Sequence, residues 1–107
     1  MQNLPSISPE ELKEKLDNGE DIFILDVREQ AEFDICHLNS HLIPLNQLPI
    51  RISELNSKQN IVVYCHTGIR SANAVQFLRQ AGFEQVKNLL GGIEAWANRI
   101  DKDMPRY

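Results

Sequence analysis

Hydrophobic residues gather in short runs along this chain, and amphipathic segments separate the runs. Two runs cover residues 22–27 and 61–64, and a third strand-sized segment covers residues 86–90. Nearly continuous apolar runs of this length are typical of strands that are buried on both faces of a parallel sheet. The pattern therefore predicts three buried strands.

Helical patterns lie between the predicted strands. Ser8, Pro9 and Glu11 occupy the N-cap, N1 and N3 positions of a capping box, and Gly19 ends the helix that follows. The other predicted elements are helical turns at residues 29–34, an extended segment at 42–45, and helices at 48–55, 72–81 and 93–99. Because strands alternate with helices, the sequence predicts an α/β fold whose parallel sheet is covered on both faces.

Length and charge limit the classes of protein to consider. The 107 residues suit one domain over residues 1–107, and the formal net charge of −4, without a basic stripe, argues against nucleic-acid binding. No apolar run is long enough to cross a bilayer, so we expect no membrane-spanning segment. Residues 1–3 do not begin a secretory signal, and we expect none. The two cysteines, Cys36 and Cys65, form no C-x-x-C pair, which favours reduced thiols and a cytoplasmic protein.

Cys65 stands at the end of a predicted buried strand, and a short glycine-containing loop separates it from the next helical pattern. Backbone N–H groups in such a turn can converge on one point and bind an anion. The same surroundings favour the thiolate of a cysteine, which is its nucleophilic form. Cys65 is therefore a candidate nucleophile, and the alternative is a small hydrophobic residue buried at a strand end.

The residues after Cys65 have functional and structural interpretations. Gly68 suits a loop with positive φ or a close approach to a ligand, although an ordinary turn glycine would look the same. Arg70 would place a permanent charge near a thiolate or an anionic substrate, or it lies on the surface of a helix. Ser71 is expected to cap the following helix, with a role in the loop as the alternative.

Asp26 and Arg28 follow the first buried strand. Ligands bind outside the carboxyl ends of strands in open α/β sheets. If this strand neighbours the strand before Cys65, all three side chains share one crevice. The two residues then form either an ion pair that supports the loop or a direct contact with substrate.

His37 and His41 have a spacing that can bind zinc on a helix. Pro44 and the irregular pattern before it argue against a regular helix, and a third ligand is not evident. We therefore expect no metal site here. Cys36 is interpreted as a packing residue, with a resolving thiol as the alternative.

Three motifs occur in order along the chain. They are Leu25-Asp26-Val27-Arg28-Glu29 with Glu32-Phe33, His37-Leu38 and Ile43-Pro44, then Cys65-x-x-Gly68-x-Arg70-Ser71, then Leu90-Gly91-Gly92-Ile93 with Ala95-Trp96. The set resembles the rhodanese family of sulfurtransferases over nearly the whole chain. Residues 32–38 and 100–107 resemble more narrowly the rhodanese module of ubiquitin-activating-like adenylyltransferases, which activate sulfur-carrier proteins. Cys36 and residues 39–41 depart from the usual family pattern.

The resemblance implies a three-layer fold of about five mainly parallel strands and a persulfide carried on Cys65. The implied donor is thiosulfate or a protein persulfide, and the implied acceptor is cyanide, a thiol or a sulfur-carrier protein. No metal or organic cofactor is implied. The terminal sulfur would be held by the backbone N–H groups of His66, Thr67, Gly68, Ile69, Arg70 and Ser71.

Two other functions remain open on the sequence. A related fold serves cysteine-dependent phosphatases and arsenate reductases, which use Cys-x5-Arg, whereas Cys65 and Arg70 form the shorter Cys-x4-Arg. A smaller loop suits one sulfur atom better than a phosphate. The other alternative is a non-catalytic interaction module, and modules of that kind usually lack the cysteine.

Overall fold

A five-stranded sheet forms the centre of the computed structural model, which describes residues 4–107. The strands are β1 (Ser6–Ile7), β2 (Phe23–Asp26), β3 (His41–Leu42), β4 (Ile61–Tyr64) and β5 (Val86–Leu89). They lie in the order β1-β5-β4-β2-β3, and every neighbouring pair is parallel. The predicted α/β fold is confirmed, while the expectation about residues 1–3 lies outside the described residues.

Within the described residues, four α-helices connect the strands and a fifth follows β5. They are α1 (Pro9–Asp17), α2 (Gln30–Ile35), α3 (Leu48–Arg51), α4 (Ile69–Gln80) and α5 (Gly92–Arg99). The capping box at the start of α1 forms as predicted, because Ser8 Oγ accepts the Glu11 N–H and the Glu11 carboxylate accepts the Ser8 N–H, both at 3.1 Å. Local sequence is therefore enough to start this helix.

The predicted start of α4 is wrong by three residues. Gly68 is the N-cap, with a φ of +111°, and the helix begins at Ile69. Ser71 therefore lies inside the first turn and does not cap the helix. The apolar pattern misplaced the start because Ile69, at the first helical position, is 74 % exposed.

The segment between β2 and β4 is less regular than the sequence suggests. The predicted extended segment 42–45 is shifted, since β3 ends at Leu42 and a 3₁₀ turn covers Leu45–Gln47. The Gln47 N–H donates to the Pro44 carbonyl at 2.8 Å and closes that turn. The predicted helix 48–55 also divides, because α3 ends at Arg51 and a 3₁₀ turn follows over Ile52–Glu54.

Apolar side chains fill both sides of the sheet. Successive residues of a strand point to opposite faces, so Val62 and Val63 of β4 belong to different clusters. The cluster beneath α3 and α4 contains Leu25, Leu48, Val63, Ala74, Val75 and Leu78. The cluster beneath α1 and α5 contains Leu12, Ile24, Val62, Tyr64, Ile93 and Trp96. Within residues 4–107, no helix has the length and hydrophobicity needed to cross a membrane.

Candidate active site

Cys65 directly follows the central strand β4, and only 1 % of the residue is exposed. Its Sγ accepts the backbone N–H of Gly68 at 3.1 Å and that of Ser71 at 3.3 Å. The Ser71 hydroxyl oxygen lies 3.3 Å from the same sulfur. The loop therefore aims N–H dipoles at the thiol, as the spacing of Cys65 and Gly68 suggests. Preorganised donors of this kind stabilise negative charge on the atom they face.

The conformation of this loop depends on the glycine at its end. Gly68 has a φ of +111°, which other residues adopt only at a cost. A Cβ built there would make only ordinary contacts, the closest 3.5 Å from the Gly91 nitrogen. The backbone dihedral, and not lack of space, therefore requires glycine at this position.

The start of α5 supports the loop from the other side. The N–H groups of Ile93 and Glu94 donate to the carbonyls of Cys65 and His66 at 2.9 and 3.1 Å. A Cβ at Gly92 would lie 2.5 Å from the Cys65 carbonyl oxygen and would also collide with the His66 carbonyl. The second glycine of the Gly-Gly turn thus allows α5 to approach the loop closely.

Asn88 is a part of the site that sequence reasoning missed. It lies on β5, is 8 % exposed, and accepts the Ser71 hydroxyl hydrogen through Oδ1 at 2.5 Å. Its Nδ2 donates to the Gly68 carbonyl at 3.3 Å. The available signal was a polar residue in a strand whose other inward positions, Val86 and Leu89, are apolar.

Arg70 lies at the edge of the site, with 36 % of its side chain exposed. Its two terminal nitrogens donate to the two carboxylate oxygens of Glu32 at 2.7 and 2.8 Å. Hydrogen bonds from Arg70 hold the pKa of Glu32 at about 2, well below its ordinary value. The bonds to Glu32 raise the pKa of Arg70, and the charge of Cys65 contributes to the same effect.

Asp26 and Arg28 form a fully buried ion pair, with an Nη2–Oδ2 distance of 2.8 Å. All five N–H groups of the guanidinium are used, because Arg28 also donates to the carbonyls of Glu32 and Cys36 and to the Tyr107 hydroxyl. The predicted ion pair is therefore present and leaves no Arg28 N–H for a substrate, while its support of the Cys65 loop stays a prediction.

Tyr107 connects this ion pair to the edge of the site. Its hydroxyl accepts a hydrogen bond from Arg28 at 2.9 Å and donates one to Glu32 at 3.0 Å. Its ring stacks on the imidazole of His66 at a centroid distance of 4.0 Å. Sequence reasoning gave Tyr107 no role, because its partners lie up to 79 positions away along the chain.

The histidines considered for a metal site have other partners. His37 Nδ1 lies 2.9 Å from the Phe33 carbonyl oxygen, and His41 Nε2 lies 2.7 Å from a Glu54 carboxylate oxygen. Over residues 4–107, no three His, Cys, Asp or Glu side chains are grouped to hold a metal ion. Cys36 and Cys65 are both buried, free thiols.

Comparison with known proteins places this chain in a family. A family model described as "Rhodanese-like domain" matches residues 8–99. The "Sulfurtransferase" of Allochromatium vinosum is 39 % identical over 92 residues, covering 85 % of this chain and 86 % of that protein. The "Probable adenylyltransferase/sulfurtransferase MoeZ" of Mycobacterium tuberculosis is 38 % identical over 105 residues, which cover 95 % of this chain.

The matched region is about a quarter, 27 %, of the length of MoeZ. Among solved structures, a rhodanese-like domain protein from Staphylococcus aureus aligns with a TM-score of 0.82 at 33 % identity. That alignment covers 87 % of this chain and 91 % of the other. Sequence and fold therefore agree on the same family.

Proposed function

We propose that this chain, which belongs to the rhodanese-like domain family, is a sulfurtransferase that moves a sulfane sulfur atom through a persulfide on Cys65. The observation that carries this proposal is the convergence of the Gly68 and Ser71 N–H groups on Cys65 Sγ. Two donors around one buried sulfur suit an intermediate whose charge is carried by sulfur.

In the first half-reaction the Cys65 thiolate attacks the outer sulfur of thiosulfate. A bond forms between Sγ and that sulfur, the sulfur–sulfur bond of thiosulfate breaks, and its electron pair leaves with sulfite. The product is a Cys65 persulfide. Dividing the transfer in this way is covalent catalysis, in which one difficult step becomes two easier ones.

In the second half-reaction a nucleophile attacks the terminal sulfur of the persulfide. The sulfur–sulfur bond breaks, and the Cys65 thiolate leaves with the electron pair. Cyanide would yield thiocyanate and a thiol would yield a new persulfide. This chemistry needs neither a metal nor an organic cofactor, because sulfur supplies both the nucleophile and the leaving group.

The loop residues have distinct roles in this scheme. The N–H groups of Gly68 and Ser71 face Sγ in the thiolate, and the remaining N–H groups between His66 and Arg70 would hold the terminal sulfur. Arg70 provides a guanidinium at the edge of the site, where an anionic donor would arrive. Asp26 and Arg28 act as support, since both are completely buried and paired.

The physiological sulfur donor and acceptor need not be thiosulfate and cyanide. A protein persulfide is an alternative donor, and a sulfur-carrier protein is an alternative acceptor, which fits the similarity to MoeZ. We place the protein in the cytoplasm, a reducing compartment that suits its two free thiols.

The test is the intact mass of the protein after incubation with thiosulfate. We expect a gain of one sulfur atom that cyanide removes as thiocyanate. Cys65→Ser should abolish the gain, and Cys36→Ser, which changes the other buried thiol, should retain it. Sulfur uptake by Cys65→Ser, or its loss in Cys36→Ser, would overturn the assignment to Cys65.

A further inference from the structure

The side chain of Asn88 lies behind the Cys65 loop and does not contact the cysteine through a hydrogen bond of its own. Its Nδ2 donates to the Gly68 carbonyl at 3.3 Å, and its Oδ1 accepts from the Ser71 hydroxyl at 2.5 Å. A carbonyl accepts hydrogen bonds only, so the amide nitrogen must face Gly68. The amide oxygen then faces Ser71.

This orientation decides where the single hydroxyl hydrogen of Ser71 lies. Because Asn88 Oδ1 is an acceptor, it takes that hydrogen. The hydroxyl therefore presents a lone pair to Cys65 Sγ, 3.3 Å away. A lone pair in this position can accept the S–H of a neutral thiol.

A thiolate has the opposite requirement. Once Cys65 has lost its proton, a lone pair on Ser71 Oγ faces a negative sulfur and is repelled by it. The hydroxyl can stabilise that sulfur only by rotating its hydrogen away from Asn88. Asn88 Oδ1 would then lose a hydrogen bond in a buried site, where an unsatisfied acceptor is costly.

We propose that Asn88 is a positioning residue that competes with Cys65 for the hydroxyl hydrogen of Ser71 and so controls how readily the thiol becomes a thiolate. The inference deepens the proposed function, since it rests on Cys65 as the reacting thiol. Asn88 acts here through Ser71 and touches no substrate.

Other titratable groups near the thiol stay constant in the comparison. They are His66 in the loop, Arg70 on α4, Glu32 on α2, the Asp26–Arg28 pair at the end of β2, Tyr64 on β4 and Glu94 on α5. A change confined to position 88 or 71 therefore isolates the hydroxyl hydrogen.

The experiment measures the rate of Cys65 alkylation by iodoacetamide as a function of pH. All variants carry Cys36→Ser, so that Cys65 is the thiol whose alkylation is measured. Asn88→Leu releases the Ser71 hydrogen to the sulfur, and we expect the alkylation profile to move to lower pH by about one unit, as one hydrogen bond to a charged group would cause. Asn88→Asp holds the hydrogen more strongly and adds negative charge, so we expect a move to higher pH.

Ser71→Ala separates this mechanism from a purely structural one. Without the hydroxyl, Asn88→Leu should no longer move the profile, whereas a loosened loop would affect both backgrounds alike. Lys87→Ala, an exposed change on the same strand, is the matched control and should leave the profile in place. Thermal unfolding of each variant shows whether it is folded.

An Asn88→Leu profile that coincides with the parent, or that moves equally in the Ser71→Ala background, would overturn the proposal. If Asn88→Leu does not fold, the nearly isosteric Asn88→Asp decides: its move to higher pH should be larger with the Ser71 hydroxyl than in the Ser71→Ala background, and equal moves contradict the proposal. Alkylation does not require sulfur transfer. Failure of the sulfur-loading test and failure of this inference are therefore distinguishable.

Discussion

Glu32 binds Arg70 through both carboxylate oxygens, at 2.7 and 2.8 Å, across 38 positions of sequence. Tyr107 donates a further hydrogen bond to the same carboxylate. The guanidinium is thereby fixed at the edge of the Cys65 loop before any substrate arrives. Two-point pairing of this kind restricts direction as well as distance.

Removal of this guanidinium should slow sulfur uptake. We expect Arg70→Ala to reduce kcat/KM for thiosulfate by roughly five- to a hundred-fold, since a hydrogen bond to a charged group contributes about 1–3 kcal/mol. Steady-state formation of thiocyanate measures the effect. An unchanged kcat/KM with normal thermal stability would show that Arg70 does not contact the donor.

A second substitution distinguishes lost attraction from new repulsion. Arg70→Ala leaves the Glu32 carboxylate unpaired near the entrance for an anionic donor. Adding Glu32→Gln should therefore recover part of the loss in kcat/KM. If the double variant is as slow as Arg70→Ala alone, the unpaired carboxylate has no influence on the donor.

Acid should weaken the Glu32–Arg70 pair. The pKa of Glu32 lies at about 2 in the folded protein and near 4.5 ordinarily, so its ionised form stabilises the fold above about pH 4.5 and this contribution is lost as pH falls towards 2. We expect Glu32→Gln to lower the free energy of unfolding by about 1–2 kcal/mol at pH 7, allowing for solvent screening of a partly exposed pair.

The difference between wild type and Glu32→Gln should shrink steadily between pH 4.5 and pH 2. Urea unfolding at several pH values in this range measures it. Glu14→Gln, an exposed change on α1, is the control and should show no such trend. A Glu32→Gln difference that stays constant with pH would contradict the pKa shift.

Because α5 approaches the loop closely, Gly92 should tolerate substitution far less than another glycine with a left-handed backbone conformation. Gly82 has a φ of +96° and open space around its Cα, so Gly82→Ala should cost about 1–2 kcal/mol and leave sulfur loading intact. Gly92→Ala adds collisions with the carbonyls of Cys65 and His66. We expect a larger loss of stability together with loss of sulfur loading.

Unfolding in urea and intact mass after thiosulfate measure these two effects. Equal destabilisation by Gly82→Ala and Gly92→Ala, with sulfur loading retained in both, would show that α5 can move away from the loop at little cost.

Loop length should decide between sulfur and phosphate chemistry. Insertion of one residue between Thr67 and Gly68 converts Cys-x4-Arg to Cys-x5-Arg. The Gly68 and Ser71 N–H groups would then diverge from Cys65 Sγ, and we expect sulfur transfer to fall steeply. Thiosulfate and aryl phosphate assays of both proteins measure the change. Robust phosphatase turnover by wild type without thiocyanate formation would overturn the sulfurtransferase assignment.

Elements with local signals could be predicted from the sequence. The Ser8 capping box and the apolar runs of β2 and β4 depend on residues that are neighbours along the chain, and the structure confirms them. The two-residue strand β1 could not be predicted in this way. Ser6 and Ile7 become a strand only because they pair with Asn88 and Leu89 of β5.

The same physical limit applies to the site. The position of Cys65 and its loop followed from a strand, a glycine and a helix that are adjacent in sequence. Glu32, Asn88 and Tyr107 acquire their roles from partners 17 to 79 positions away, which the fold alone brings together. Of these three residues, only Asn88 gave a local sign of its role, because it is a polar residue within a buried strand.

The hydrogen bonds from Ile93 and Glu94 to the loop carbonyls also have a kinetic meaning. The Cys65 loop has all of its hydrogen bonds only when the start of α5 is docked against it, so the loop and the start of α5 should open as one cooperative unit. The hydrogen-bonded amide protons of Gly68, Ser71, Ile93 and Glu94 should therefore exchange with deuterium at a common, slow rate. Sulfur acceptance would then mark chains whose last helix is already in place.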